Sequence, residues 1–153
     1  METTLILLKP DAIQRGLMGP IIGRFEAKGL EIAAAKLMVV PRDLAERHYA
    51  EHKGKPFYDG LIRFITSSPV LAMAIRGVSA VAVCRKLIGV THGAKAEPGT
   101  IRGDYGLSGG YNLIHGSDSP ESAARELDLW FRPDDIVDYE STQRKWVYDP
   151  SDL

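Results

Sequence analysis

The chain has 153 residues, of which 44% are hydrophobic and 25% are charged. These values are typical of a globular protein, and the length predicts a single domain over residues 1–153. The formal net charge of −1 excludes a general attraction to nucleic acid or to an anionic membrane. Any phosphate group must therefore be bound by basic residues that the fold brings together locally.

The single cysteine, Cys84, excludes an intrachain disulfide and favours a reducing compartment. No apolar run approaches the roughly 20 residues that span a bilayer. The apolar run of residues 5–8 is too short for a signal peptide, and Lys9 and Pro10 follow it at once. We therefore expect a cytoplasmic protein with no membrane partner.

The first half of the chain alternates apolar strands with amphipathic helices. In order, the patterns predict a strand over 3–8, a helix over 20–28, a strand over 30–40 and a helix over 42–52. Lys9 lies at the end of the first strand. Tyr49 and His52 lie on one side of the helix over 42–52, where they suit a cleft wall. The amphipathic edge of a surface helix would show the same pattern.

The second half continues this alternation and then loses it. The patterns predict a helix that buries Leu61, Ile62 and Ile65, a strand over 70–75, a helix over 80–88 that Ser79 caps, a strand that ends at His115 and a helix over 120–131. Cys84 is expected to pack in the core. Residues 89–110 are rich in glycine and have no period, which predicts a substrate-facing loop. Residues 133–153, with anchors at Ile136, Trp146 and Val147, are expected to wrap over the domain or a neighbouring subunit.

The segment from Tyr111 to Glu121 is the most informative stretch. An apolar strand ends on His115, Gly116 makes a turn, and Ser119 and Pro120 are suited to start a helix. A histidine beside a helix N-terminus is close to free backbone N–H groups, which favour anions. A structural histidine in a turn fits the same residues. In the following helix, Glu126 lies at the edge of the apolar stripe, so its carboxylate should be half-buried and have a partner.

The element order predicts an α/β (α+β) fold in which four strands carry helices on one face, as in a split βαβ sandwich. Polar residues collect at the element ends and form a cationic, donor-rich set suited to a polyphosphate: Lys9, Tyr49, His52, Arg85, Thr91, Arg102, Asn112 and His115. The common nucleotide-binding loops are absent. The four histidines are dispersed, which argues against a protein-held metal and leaves Mg²⁺ carried on substrate phosphates.

Residues 112–118, Asn-Leu-Ile-His-Gly-Ser-Asp, resemble the active-site signature of the nucleoside diphosphate kinases. Further segments match in the same order: Lys9-Pro10-Asp11, Gln14 to Leu17, His48-Tyr49, Lys55 to Phe57, and Pro98 to Asp104. The resemblance covers essentially the whole chain. It implies a ferredoxin-like αβ sandwich, with a four-stranded antiparallel sheet covered by helices. It also implies ping-pong transfer of the γ-phosphate from a nucleoside triphosphate, typically ATP, to a nucleoside diphosphate, with Mg²⁺ bound through the phosphates.

The resemblance also implies roles for single residues. His115 is the expected nucleophile, Glu126 orients it through its other nitrogen, and Ser117 is hydrogen-bonded to that carboxylate. Six residues match family positions that hold the phosphates and the ribose: Lys9, Tyr49, Arg85, Thr91, Arg102 and Asn112. His52 matches a position that contacts phosphate in some family members. Phe57 resembles the residue on which the base stacks, with Leu61 closing the other edge. The length and the tail resemble hexameric members more than tetrameric ones.

Several positions depart from the family pattern. Ala12 replaces the commoner glycine, and Gly109 and Tyr111 replace a frequent valine and arginine. His92 and Gly93 stand where many members have Asn-Pro, which is expected to give the loop more freedom in the unfolded chain. None of these changes removes a catalytic group.

The main alternative is a ferredoxin-like module that binds nucleotide or RNA without catalysis. The RNA-binding version needs aromatic residues on its central strands, and residues 70–75 have none. A catalytically silent member of the same family is a third interpretation. The presence of Lys9, Arg102, His115 and Glu126 argues against it.

Overall fold

The computed structural model describes residues 1–153 and contains one four-stranded sheet. Its strands are β1 (Glu2–Leu8), β2 (Glu31–Met38), β3 (Val70–Gly77) and β4 (Ile114–Gly116), in the spatial order β2-β3-β1-β4. Every neighbouring pair is antiparallel. The predicted ferredoxin-like architecture, with a four-stranded antiparallel sheet covered by helices, is confirmed.

Eight α-helices connect and cover the strands: α1 (Pro10–Gln14), α2 (Met18–Ala27), α3 (Arg42–His48), α4 (Tyr58–Thr66), α5 (Ala80–Ile88), α6 (Ile101–Tyr105), α7 (Pro120–Trp130) and α8 (Arg144–Val147). Short 3₁₀ turns cover residues 50–52, 93–95, 133–135 and 150–152. None of the helices combines the length and the apolar character that crossing a membrane requires.

Helices cover both faces of the sheet, which corrects the expectation of helices on one face. Leu5 and Leu7 of β1 pack with residues of α3, α4 and α7, whereas Ile6 and Leu8 pack with residues of α2 and α5. Successive side chains of a strand point to opposite faces, so a central strand that is apolar at every position needs cover on both. The continuous apolar run of β1 already indicated this arrangement.

The end of one helix and the cap of another differ from the sequence prediction. The helix predicted over 42–52 ends at His48, because the chain tightens to a 3₁₀ turn in which the N–H of His52 bonds to the carbonyl of Tyr49 at 2.9 Å. Ser79 does not cap α5: its backbone is left-handed (φ 52°) and its side chain makes no capping bond. The carboxylate of Glu2 instead accepts a bond from the N–H of Val81 at 3.0 Å.

The segment over 89–110 is more ordered than predicted, because it contains α6. Thr100 caps this helix, its Oγ1 accepting a bond from the N–H of Gly103 at 3.0 Å. The sequence analysis also missed α1, which has five residues and is too short for a helical period to show. Ser119 caps α7 as predicted, with its Oγ bonded to the N–H of Ser122 at 3.1 Å.

The C-terminal tail wraps over its own domain. The N–H of Val137 bonds to the carbonyl of Ala33 at 2.8 Å, and Arg144 makes two bonds of 3.1 and 3.0 Å to the buried carboxylate of Glu31. Ile136 packs against the core, as expected. Trp146 is 84% exposed, so its ring does not anchor the tail on its own domain, and packing against a neighbouring subunit stays a prediction.

Candidate active site

The strand end that carries His115 is tied to the end of β1. His115 pairs with Leu7 in the sheet, and the N–H of Lys9 bonds to the carbonyl of Leu113 at 2.8 Å. Leu113 has a positive φ of 73°, which is strained for a branched residue, and its side chain is fully buried in the core. Its N–H bonds to the carboxylate of Asp11 at 3.0 Å. Core packing and two hydrogen bonds thus hold the backbone beside His115 in an unusual conformation.

His115 is held by Glu126 of α7. Its Nε2 lies 2.5 Å from Oε1 of Glu126, which is only 4% exposed. Burial works to raise the pKa of Glu126, but the hydrogen bond and electrostatic effect of His115, aided by Ser117 and His48, hold the pKa below its usual range. An ionised carboxylate only accepts hydrogen bonds, so Nε2 carries the ring hydrogen and Nδ1 presents its lone pair. The half-buried carboxylate predicted from helix geometry does have a partner.

Ser117 lies beside the same carboxylate. Its hydroxyl helps to keep the pKa of Glu126 low, behind the larger effect of His115. However, Ser117 Oγ and Glu126 Oε2 are both buried without a regular hydrogen-bond partner. The hydrogen bond between them that the family resemblance implied is therefore not formed with ordinary geometry here.

Lys9 and Asn112 form a buried pair that continues to the loop at residue 91. Nζ of Lys9 donates to Oδ1 of Asn112 at 2.8 Å, and Nδ2 of Asn112 donates to the carbonyl of Thr91 at 2.9 Å. Burial, and then the charge of Arg102, lower the pKa of Lys9 to about 8, with Asp11 opposing them. This ammonium group is poorly solvated, which favours binding of an anion beside it.

Arg102 uses its guanidinium on backbone carbonyls. It donates to Gly89 at 3.2 Å, to Asn112 at 3.1 Å and to Ile114 at 2.6 Å. Burial, followed by the charge of Arg85, lowers its pKa to about 10, so it remains charged at neutral pH. Arg102 thereby braces the segment that precedes His115 while its charge stays at the site.

These side chains surround a cavity of about 280 Å³. The predicted residues that line it are Lys9, Tyr49, His52, Arg85, Thr91, Arg102, Asn112, His115 and Glu126. Residues that the sequence analysis did not select also line it, namely His48, Glu51, Gly116, Asp118, Ser122 and Arg125. The structure therefore gathers almost the whole predicted donor set around one histidine.

Phe57 and Leu61 lie outside this cavity. Phe57 is 52% exposed at the start of α4, and its ring is 5.3 Å from that of His52, which lines the cavity. Leu61 packs against the core cluster on the α4 side of the sheet. The ring of Phe57 is thus next to the cavity wall and about half exposed to solvent.

His48 is the most informative residue that the sequence analysis missed. It is buried, its Nδ1 accepts a bond from Nε1 of Trp130 at 3.1 Å, and its ring stands perpendicular to that of His115 at 4.8 Å. Burial, then the charge of His115, lower its pKa to about 3. Its position three residues after the buried Ala45 placed it on the inner face of α3, and this signal could have revealed it.

The same neighbourhood contains the only set of three potential metal ligands in the chain. One ligand atom each from His48, His115 and Glu126 lies within 4.8 Å of the others. Nδ1 of His48 and Nε2 of His115 are already hydrogen-bonded. A metal ion held by these atoms would have to break both contacts.

The comparisons with known proteins agree on one family. Residues 2–136 match the family model described as nucleoside diphosphate kinase. Relatives of that name from Staphylococcus epidermidis and Archaeoglobus fulgidus are 58% and 52% identical over 97% of this chain and 100% and 99% of their own length. A nucleoside diphosphate kinase from Halobacterium salinarum, solved in complex with CDP, superposes with a TM-score of 0.95 at 49% identity, covering 97% of this chain and 99% of that one. A family member from Babesia bovis superposes with a TM-score of 0.94 at 45% identity, covering 97% and 100%. These findings show that the chain belongs to the nucleoside diphosphate kinase family.

Proposed function

We propose that this chain transfers the γ-phosphate of a nucleoside triphosphate, typically ATP, to a nucleoside diphosphate through a phosphohistidine on His115. The observation that carries the proposal is the contact of His115 Nε2 with the ionised carboxylate of Glu126. It leaves Nδ1 unprotonated and open to the cavity. Such a reaction maintains the pools of nucleoside triphosphates.

The transfer has two mirrored steps. In the first, the lone pair of Nδ1 attacks the γ-phosphorus, and the bond from that phosphorus to the β,γ-bridging oxygen breaks as the diphosphate leaves. The ring becomes cationic because Nε2 keeps its hydrogen, and the carboxylate of Glu126 stabilises that charge. In the second, a terminal oxygen of another nucleoside diphosphate attacks the phosphorus, and the N–P bond breaks to restore the neutral histidine.

The phosphate oxygens are bound by the donors that line the cavity. Lys9, Arg85 and Arg102 supply charge, and the neutral or pH-dependent donors are Tyr49, His52, Thr91 and Asn112. In-line phosphoryl transfer depends mostly on positioning and on neutralising oxygen charge, which this set can provide. The Halobacterium salinarum relative was solved in complex with CDP, which supports nucleotide binding by this fold.

The base lies on the exposed ring of Phe57, with Leu61 at its other edge. Phe57 is adjacent to the cavity through His52 and has a free face. Stacking uses the π-face that every base has, so it does not select one base over another. This accounts for a broad range of nucleotide substrates.

Mg²⁺ enters with the nucleotide phosphates. The cavity wall contains Lys9, Arg85, Arg102 and Arg125, and Nε2 of His115 and Nδ1 of His48 are engaged in hydrogen bonds, which suits an ion held mainly by phosphate oxygens. When bound, the ion neutralises charge on the β- and γ-phosphates. No residue of the chain is assigned to it.

The active form is a homohexamer, with a homotetramer as the alternative. Leu37 and Val39, at the end of the edge strand β2, are 58% and 61% exposed and offer apolar area to another copy. Sedimentation equilibrium would distinguish six copies from four, and a monomer would contradict both. A cytoplasmic location is supported by the unpaired Cys84.

A noncatalytic nucleotide- or RNA-binding module is not favoured. The full-length matches are to proteins named as kinases, and the cavity centres on a nucleophile rather than on an aromatic strand surface. Nucleic acid is not the primary partner.

The test is phosphate labelling. The protein is incubated with γ-labelled ATP and Mg²⁺, and the bound label should survive alkali but be lost in acid, as expected of phosphohistidine. His115→Asn should take up none, whereas His92→Asn, a change in an exposed histidine of the loop, should label like the wild type. Absence of acid-labile label on the wild type would refute the proposal, and equal labelling of His115→Asn would assign the wrong residue.

A further inference from the structure

His48 has one ring nitrogen committed to the core and one left over. Nδ1 accepts the hydrogen bond from Nε1 of Trp130 at 3.1 Å. In a neutral imidazole the nitrogen that accepts has no hydrogen, so the hydrogen is on Nε2. Trp130 therefore fixes His48 as the tautomer with a donor at Nε2.

That donor has no partner within the protein. No hydrogen bond involves Nε2 of His48, although the side chain is buried. Nδ1 and Nε2 lie on opposite sides of the ring, and the ring is part of the cavity wall beside His115. Nε2 is not among the buried polar atoms that lack a partner, so it is accessible from the cavity, where a polar group on the wall can bind a ligand.

The environment keeps His48 neutral. Its pKa falls to about 3, through burial first and then the charge of His115, while Glu126 works in the opposite direction. A neutral donor does not repel the cationic ring that forms when His115 carries a phosphoryl group. It can nevertheless donate to a phosphoryl oxygen, and a bond to a charged acceptor is stronger than a neutral pair.

We propose that His48 is a further phosphoryl contact, whose Nε2–H donates to an oxygen of the phosphoryl group during its transfer to and from His115. This inference rests on the proposed phosphohistidine. It assigns a role to a residue that would otherwise serve only as a partner for Trp130 in the core. The contact forms only while the phosphoryl group is at His115, so its loss should lower kcat more than it raises KM.

Two amide substitutions separate the two ring nitrogens. The amide of His48→Asn lies near the position of Nδ1, so it can still accept from Trp130 but offers no donor near Nε2. The amide of His48→Gln reaches the position of Nε2 and keeps that donor while losing the acceptor. His48→Gln leaves the Nε1–H group of Trp130 without an acceptor. Adding Trp130→Phe removes that N–H group and so protects the fold.

Steady-state phosphotransfer and single-turnover labelling of His115 are measured for each variant, together with thermal unfolding. His48→Asn should lower kcat on the order of 10- to 100-fold with KM nearly unchanged, as expected for loss of a bond to a charged group. The two variants with glutamine should retain kcat within about 5-fold of the wild type, because the donor persists.

Retention of wild-type kcat by His48→Asn would overturn the proposal. So would an equal loss in the asparagine and glutamine variants with folding intact, which would indicate packing alone. Failure of the wild type itself to label would instead refute the phosphohistidine.

Discussion

Nε2 of His115 and Oε1 of Glu126 lie 2.5 Å apart, although one belongs to β4 and the other to α7. The strand places the ring at the cavity, and the capped helix places the carboxylate behind it. A hydrogen bond to an ionised carboxylate is shorter and stronger than one between neutral groups. The relative placement of one strand and one helix thus determines which nitrogen of His115 faces the substrate.

Glu126→Gln should lower kcat on the order of 10²-fold, because the amide cannot stabilise the cationic ring or hold one tautomer. KM should change little, since Glu126 lies behind the histidine. Glu121→Gln removes an exposed carboxylate from the first turn of the same helix and is the matched control. Unchanged kcat in Glu126→Gln would show that His115 needs no orienting charge.

Phosphate binding should weaken above about pH 8, where Lys9 loses its charge in the free protein. Burial favours the neutral amine, so between about 8 and the ordinary value of 10.5 the unfolded chain holds a proton that the folded chain has lost. Stability against unfolding should therefore rise over the same interval, while kcat/KM falls. Lys9→Met should abolish this alkaline change in kcat/KM, and its persistence would point to another group.

Gly93→Pro should destabilise the protein by more than about 1 kcal/mol. The N–H of Gly93 bonds to the carbonyl of Ser108 at 3.1 Å, and a Cβ at Gly93 would lie 2.4 Å from the backbone of Gly106. The expected gain from a stiffer unfolded chain is smaller than these losses. Urea unfolding of Gly93→Pro and of Gly110→Ala measures the difference, because Gly110 is an exposed loop residue whose added Cβ would meet only Ser108 Oγ, at 4.0 Å. A stabilised Gly93→Pro variant would contradict this account.

Arg144→Ala should release the C-terminal tail. Glu31 is buried and accepts bonds from Arg144 and Arg76, and these bonds hold its pKa below the usual range against the effect of burial. Removing Arg144 leaves the carboxylate with Arg76 alone and removes the link to α8. Limited proteolysis should cut the variant in the tail severalfold faster than the wild type. Arg132→Ala, which breaks an exposed pair with Asp135, should not change the cleavage rate.

Local patterns predicted the strands that dominate the sheet. β1 and β3 contain continuous apolar runs, over residues 5–8 and 70–75, and such runs fit strands that are buried on both faces. Helix geometry also placed Glu126 at the edge of a buried stripe. Local geometry left open whether His115 is a nucleophile or a structural histidine. The family resemblance indicated the nucleophile.

The remaining features depend on contacts between distant parts of the chain. His48 bonds to Trp130 across 82 residues, and Lys9 bonds to Asn112 across 103. No local period encodes such partners. The strained backbone of Leu113 was hidden for the same reason, because contacts with Lys9 and Asp11 support it, whereas the strand at His115 was predicted and is β4.

Arg102 joins the carbonyls of Gly89, Asn112 and Ile114 while its charge stays at the cavity wall. A variant at this position would change the folding of the loop and the charge of the site at once. Natural selection acting on either property would therefore act on both. Replacing Arg102 would lower stability even where selection for activity had ceased. We therefore expect this arginine to be kept in descendants that had lost catalysis.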